Sequence, residues 1–265
     1  MAPTSHSTQW VAEEFDRRAA TYDGSEMHRW QAQRAAQLLD LQPRQQILDI
    51  ATGTGLAARA AVELAEGTTV VGIDVSRRML EVARGKSHPR QCRFIQADAQ
   101  RLPFRTAVFD ALVCVAAIPY IPDLSAALTD WCRVGRSHAA LVFTTPAADG
   151  IAAHWLLGQA AEVHGLALPN PNAALGSPDR IRAVVESFGL SLIQVERETF
   201  PDLLDDEPRS AFDRVIDYGF AEPLRTASDD LREAIFDTYA HLYAAARRRG
   251  DSGHETLFAL CRLPR

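Results

Sequence analysis

The chain predicts a doubly wound α/β fold on a seven-stranded sheet, and three observations predict it. Apolar runs alternate with helical segments through the first 145 residues. The runs are continuous, as in Ala111-Leu112-Val113-Cys114-Val115, which marks parallel strands covered on both faces. Finally, Ile47-Leu48-Asp49-Ile50 leads into the tight turn Ala51-Thr52-Gly53-Thr54-Gly55, and an alanine-rich helix starts near Leu56.

Taken in order, strands are expected at 46–50, 69–73, 92–96, 109–115 and 138–144, with helices at about 56–65, 76–84 and 124–134 between them. Gly67, Gly85 and Gly135 fall where C-terminal helix caps belong. Residues 146–176 mix polar and apolar residues with several prolines; they hold no expected strand and one helical run, Ile151 to His164. Ser177-Pro178-Asp179 starts another helix, with serine as cap and proline at the first helical position, and it runs to Gly189. Leu190 to Val195 reads as a sixth strand, 203–249 as mostly helical, and His254 to Cys261 as a seventh strand. The segments outside the alternating core are 1–40, 146–176 and 200–250. They lie between strand ends, where ligands bind in open α/β sheets. A helical cap on a single domain spanning 1–265 (core 41–145, 177–198 and 254–263) is therefore expected; helical padding at the sheet edge is the other reading.

At 265 residues, 47% hydrophobic and 23% charged, the composition is that of an ordinary globular protein. A net charge of −6 and a pI near 5.8 argue against nonspecific nucleic-acid binding, which needs a basic surface. The basic run Arg247-Arg248-Arg249 reads as a solvated helix end. No apolar stretch approaches the roughly 18 to 20 residues that span a bilayer, and Met1-Ala2-Pro3-Thr4-Ser5-His6 lacks the charged and apolar regions of a signal peptide. Cys92, Cys114, Cys132 and Cys261 fit no zinc spacing. A cytoplasmic, reduced, metal-free protein is expected, as a monomer or a homodimer.

Gly53-x-Gly55-x-x-Ala58 satisfies the dinucleotide fingerprint, and Asp74 stands about 20 residues on, where a ribose-binding acid belongs. The segment therefore binds a nucleoside-bearing cofactor. A pyridine nucleotide would bring its pyrophosphate to the turn, where backbone N–H groups and the helix N-terminus receive anions. Asp49 would repel that anion, whereas it would attract an ammonium or a sulfonium. S-adenosylmethionine has both and no phosphate, so charge favours it over NAD(P); an NAD(P)-dependent oxidoreductase stays in view as an alternative.

Four motifs in order resemble the class I S-adenosylmethionine-dependent methyltransferases, most closely the branch with the ubiquinone and menaquinone C-methyltransferases and many small-molecule methyltransferases. They are Phe15-Asp16-Arg17-Arg18-Ala19-Ala20-Thr21-Tyr22-Asp23; Leu48 to Gly55, with Ala51 where many members have glycine; Phe94-Ile95-Gln96-Ala97-Asp98-Ala99 followed by Leu102-Pro103-Phe104; and Phe109-Asp110 with Ile121-Pro122-Asp123. The resemblance implies a Rossmann-like fold and assigns roles. Asp49, Ala51, Gly53 and Gly55 would face the aminocarboxypropyl arm. Asp74 would accept the ribose hydroxyls, or else cap the following helix. Met79 would pack on adenine or in the core. Asp98 would accept the adenine amino group while the Ala99 backbone donates to the ring. Val115 and Ala116 would end the fourth strand beside the methyl donor, and Tyr22 would close over the methionine end.

No general base announces itself. Tyr120 follows the fourth strand near the expected acceptor, and His154, beside Trp155, sits on the expected lid helix. Trp10, Trp30 and His28 are candidates for the mouth of the site. The reading is a methyltransferase for a small, apolar or aromatic acceptor of secondary-metabolite type, with no nucleic-acid partner. The fourth strand continues Val115-Ala116-Ala117-Ile118-Pro119-Tyr120, unlike the Asn/Asp-Pro-Pro-Tyr type that methylates base amino groups. A methyltransferase fold recruited for cyclisation or isomerisation is a second alternative.

Overall fold

Seven strands form one sheet in the order β3-β2-β1-β4-β5-β7-β6 in a computed structural model that describes residues 7–86, 91–201, 207–217, 219–251 and 253–265. The strands are β1 (Gln46–Ile50), β2 (Thr69–Asp74), β3 (Cys92–Gln96), β4 (Phe109–Cys114), β5 (Gly135–Ile151), β6 (Ser191–Phe200) and β7 (His254–Arg262). Strands β1 to β5 pair in parallel, with Asp49 opposite both Gly72 of β2 and Val113 of β4. The chain order reverses between β1 and β4, which makes the C-terminal ends of those two strands the switch point where ligands bind. The hexapeptide read for a leader, Met1 to His6, lies outside the described residues, as do 203–206 and 218 of the stretch expected to be helical.

The helices are α1 (Thr8–Arg18), α2 (Glu26–Leu38), α3 (Leu56–Leu64), α4 (Arg77–Gly85), α5 (Leu124–Val134), α6 (Ala152–Val163), α7 (Pro178–Ser187), α8 (Pro208–Ile216), α9 (Glu222–Arg225) and α10 (Asp229–Arg249). Side-chain caps set several of their starts: Ser7, Ser25, Ser76, Asp123 and Ser228 each accept a backbone N–H from the first turn. Arg247, Arg248 and Arg249 close α10 against the negative end of its dipole, and Gly250 follows in the left-handed region.

Several boundaries differ from expectation. Strand β5 continues through Pro146 to Ile151, where no strand was expected, because a stretch of alanine with proline and glycine carries no strand periodicity. Helix α3 stops at Leu64, so Gly67 belongs to the turn beyond it, and Gly85 is the last residue of α4. Helix α7 ends at Ser187, with Gly189 in the left-handed region as Leu190 N–H returns to the Val185 carbonyl at 3.2 Å.

The chain divides into two compact units. The first comprises Met1–Thr145, Pro178–Glu196 and Phe258–Arg265, and the second Pro146–Ser177 and Arg197–Leu257. The expected cap segments 146–176 and 200–250 thus fall almost entirely in the second unit, whereas 1–40 falls in the first. In the first unit, α2 and α3 bury Ala32, Ala35, Ala36, Ala57, Ala58 and Ala61 against Ile47, Val70 and Val113. Alanine-rich faces let helix and sheet approach closely. The second unit has its own core, with Leu157, Phe212, Ile235, Tyr239 and Tyr243 packed between α6, α8 and α10.

Gly72 shows how tightly the sheet centre is filled. A Cβ there would lie 2.7 Å from both the Phe94 ring and Thr52 Oγ1. Gly72→Ala is expected to destabilise the fold by about 1–3 kcal/mol through overpacking, read as a lower urea midpoint. An unchanged midpoint would contradict that packing.

Candidate active site

The turn after β1 is built on a left-handed backbone at Ala51, Gly53 and Gly55, with φ of 53°, 56° and 81°. Gly55 is doubly constrained, since a Cβ would also approach the Phe94 ring to 2.9 Å. Alanine tolerates the left-handed region less well than glycine, so Ala51 carries backbone strain at this turn. Asp49 lies beneath the turn and is buried. Its Oδ2 accepts from Thr52 Oγ1 at 2.5 Å and from the Ala58 N–H at 3.0 Å, so one carboxylate fastens the turn to the first turn of α3. Burial pushes its carboxyl up to about 7 against these two bonds.

Asp74 ends β2 and faces the same turn. Its Oδ2 accepts from the Gly53 N–H and its Oδ1 from the Ser76 N–H, both at 2.8 Å. The cap of α4 is Ser76, which accepts from Met79 N–H at 3.1 Å, so Asp74 is not the helix cap. Burial raises the Asp74 carboxyl to about 6, opposed by the Ser76 and Gly53 bonds.

Asp98 follows β3. Its carboxylate accepts from Gln100 N–H at 2.9 Å, from Gln100 Nε2 at 2.9 and 3.1 Å, and from Thr8 Oγ1 at 3.2 Å. Helix α5 holds the loop beyond it. Trp131 Nε1 donates to the Ala99 carbonyl at 2.9 Å, Asp130 accepts from Leu102 N–H at 2.6 Å, and Arg133 donates to the Leu102 and Phe104 carbonyls. At the end of β4, Ala116 is also left-handed, and its N–H donates to Thr144 Oγ1 at 2.7 Å.

A pocket opens among these groups. Of the residues given roles in the sequence, Tyr22, Ala51, Gly53, Asp74, Met79, Asp98, Ala99, Val115, Ala116 and Tyr120 line it. Asp49 and Gly55 shape the turn from behind and are not in the lining; neither are Trp10 and His28. The Trp10 backbone joins the Ser7 cap, and His28 stacks on Tyr22 with ring centroids 4.3 Å apart and planes 15° from parallel. Burial and the nearby Arg18 guanidinium hold the His28 imidazole down at about 4, so it is neutral at pH 7. His154 belongs to the second unit, where its ring lies 4.9 Å from Phe220 and burial lowers it to about 4.

The N-terminal helix supplies contacts to which the sequence reading gave no role. Thr8, Val11 and Phe15 line the pocket, and Phe15 meets Tyr120 edge-on at 5.0 Å. Asp16 fastens this helix to the start of α4, accepting from Ser76 Oγ at 2.6 Å and Arg78 N–H at 3.0 Å. Gln100 had a signal, since an aspartate readily accepts from the backbone two residues on. Thr8 had none. Among the described residues no helix is long and apolar enough to cross a membrane, and no group of His, Cys, Asp and Glu is placed to hold a metal ion.

Comparison with known proteins agrees with this geometry. Residues 48–143 match a family described as a methyltransferase domain. The chain is 33% identical over 177 residues to the demethylmenaquinone methyltransferase of Deinococcus radiodurans, covering 60% of this chain and 73% of that one. It is 35% identical over 143 residues to the ubiquinone/menaquinone biosynthesis C-methyltransferase UbiE of Coxiella burnetii, covering 50% of this chain and 57% of that one. Among solved structures, the [4+2]-cyclase SpnF superposes with a TM-score of 0.61 at 16% identity over 99% of this chain and 98% of that one, a likeness of fold alone.

The two buried carboxylates give the pocket a pH dependence whose sign is fixed. With Asp49 raised to about 7 and Asp74 to about 6, the ligand-free fold keeps protons that the unfolded chain releases near 3.8. Their contribution to stability therefore falls as pH rises from about 4 through about 7. A cationic ligand favours the ionised carboxylates, so S-adenosylmethionine affinity should strengthen over the same range and level off above it, by at most about tenfold per pH unit for each group. Calorimetric titration between about pH 5 and about pH 8 reads this directly. A flat profile would contradict it.

Proposed function

Since the chain belongs to the class I S-adenosylmethionine-dependent methyltransferases, in the branch of the ubiquinone and menaquinone C-methyltransferases, we propose that it methylates a small apolar or aromatic acceptor, of quinone or secondary-metabolite type, in the pocket at the end of β1 and β4. The observation that carries this reading is the lining itself. One pocket combines the carboxylates of Asp74 and Asp98 with the aromatic wall of Phe15, Tyr22 and Tyr120.

The residues present fit the cofactor. Asp74 would accept the ribose hydroxyls while its bonds to Gly53 and Ser76 hold it in place. Met79 and Ile73 would pack against adenine, and Asp98, oriented by Gln100, would accept the amino group beside the Ala99 backbone. Ala51 and Gly53 admit the methionine arm close to the backbone, and buried Asp49 supplies negative potential beneath it. Val115 and Tyr22 would lie toward the reacting end. S-adenosylmethionine supplies an electrophilic methyl group on a sulfonium.

The protein's part is to place the acceptor in line with that group and to exclude water, which suffices for an amine, a thiolate or an activated carbon. Burial pushes the Tyr22 hydroxyl above the ordinary tyrosine range, with Arg18 opposing. Tyr120, packed edge-on against Phe15, shapes the wall that selects a flat acceptor.

Two measurements test this. Asp74→Ala should weaken S-adenosylmethionine by the loss of charge-assisted bonds worth about 1.5–3 kcal/mol each, measured by calorimetry with the fold checked by circular dichroism. Unchanged affinity would remove the ribose assignment. For the acceptor, purified protein and cofactor are incubated with panels of quinols, phenols, amines and thiols, and products are read by mass spectrometry. A gain of one methyl group on aromatic acceptors is expected, with Tyr120→Ala raising their KM while cofactor affinity holds. Methylation confined to aliphatic amines, or products of unchanged mass, would overturn the assignment, the latter in favour of a cyclase or isomerase.

A further inference from the structure

Thr54 stands between the two glycines of the turn and does not line the pocket, although Gly53 does. It is gripped from behind by a charged cluster. Its hydroxyl donates to Asp23 Oδ1. Its carbonyl accepts from Arg59 Nη1 at 2.9 Å and from Lys86 Nζ at 3.2 Å. Lys86 Nζ also donates to Asp23 Oδ2, and Arg59 Nη2 lies 3.9 Å from that oxygen. Asp23 belongs to the short helical turn Tyr22–Gly24, Arg59 to α3, and Lys86 to the cap of α4.

Glycine imposes little on its own backbone, so a turn with glycine on both sides of Thr54 leaves the intervening peptide planes to be fixed by contacts. Two cations on one carbonyl fix the Thr54–Gly55 plane, and with it the Gly55 N–H that closes the turn on the Thr52 carbonyl at 2.8 Å. The cations need a counter-charge in this partly buried place, and Asp23 is it. Burial would raise the Asp23 carboxyl, but the bonds from Lys86 and Thr54 outweigh it and hold it below its ordinary range. The residue before Asp23 is Tyr22, which lines the pocket.

We propose that Asp23 is a positioning residue for the cofactor: through Lys86, Arg59 and Thr54 it sets the backbone of the glycine turn, and through its own chain it holds Tyr22 at the pocket wall. The inference rests on reading this pocket as the S-adenosylmethionine site. Asp23 touches no reacting atom, so its removal loosens the turn and lowers cofactor affinity.

The experiment is calorimetric titration with S-adenosylhomocysteine of the full chain and of Asp23→Asn, Lys86→Met, the double variant, and Asp74→Asn. Asp23→Asn and Lys86→Met should each weaken binding by about tenfold, the scale of one charge-assisted bond. The double variant should be little worse than either single one, because the two act as a unit, and Asp23→Glu should recover part of the loss. Thr54→Val, which removes only the hydroxyl bond, should weaken binding severalfold and carries the test if Asp23→Asn does not fold. Wild-type affinity in a folded Asp23→Asn protein, or strictly additive losses, would overturn the proposal. Wild-type affinity in Asp74→Asn would instead overturn the placement of the cofactor site.

Discussion

A carboxylate buried under a turn organises this molecule. Asp49 has almost no contact with solvent, yet it joins β1, the glycine turn and α3 through one oxygen that accepts from Thr52 and Ala58. Few groups other than a small acceptor at the end of a strand reach both the turn and the orphan amides of the following helix. Burial disfavours its ionised form, and Asp74, close by, is under the same pressure. Two such groups make the ligand-free fold less stable at neutral pH than it would otherwise be. The same electrostatics prepares the pocket for a cation, so part of the affinity for a sulfonium and an ammonium is stored in the folded protein beforehand.

The strands and helices of the first unit were legible because a parallel sheet under helices writes long apolar runs into the sequence, and because glycine and serine punctuate them. The turn from Asp49 to Gly55 was legible for a related reason: few residue types satisfy its backbone. Less visible was which way a side chain points. Asp49 reads as a ligand-facing acid but serves the turn from below, whereas Asp74, read as either a ribose acceptor or a helix cap, lines the pocket and leaves capping to Ser76. Thr8 and Gln100 meet at Asp98 across more than ninety positions of sequence, a contact that no local pattern encodes. The extension of β5 through Pro146 was hidden by alanine, which has no strong preference for strand. The second unit's core was hidden too, since its apolar residues come from two separated stretches.

The recognition groups sit on loops, but each loop is bound to something rigid. The loop from Asp98 to Phe104 hangs on Trp131, Asp130 and Arg133 along one face of α5. Asp110, which opens β4 in a motif that invites a functional reading, accepts from the Gln46 N–H at 2.8 Å and pairs with Arg136, so it ties β1 and β5 to β4. Two of the left-handed residues, Ala51 and Ala116, are in the lining, where they keep side chains small at the junction of the two central strands.

The first helix and the turn after it contribute Thr8, Asp16 and Asp23, and each bonds a different stretch around the pocket, at Asp98, Ser76 and Lys86. On the ribosome this segment emerges well before any of these partners, and it is too short to be a stable helix alone. Its anchors lie at Ser76, at Lys86 and, beyond β3, at Asp98. The finished pocket depends on contacts of long sequence separation, a class that forms slowly. A nascent chain that stalls before β4 would hold the glycine turn and yet have no finished site, so competence to bind the cofactor reports that the whole parallel half of the sheet has closed.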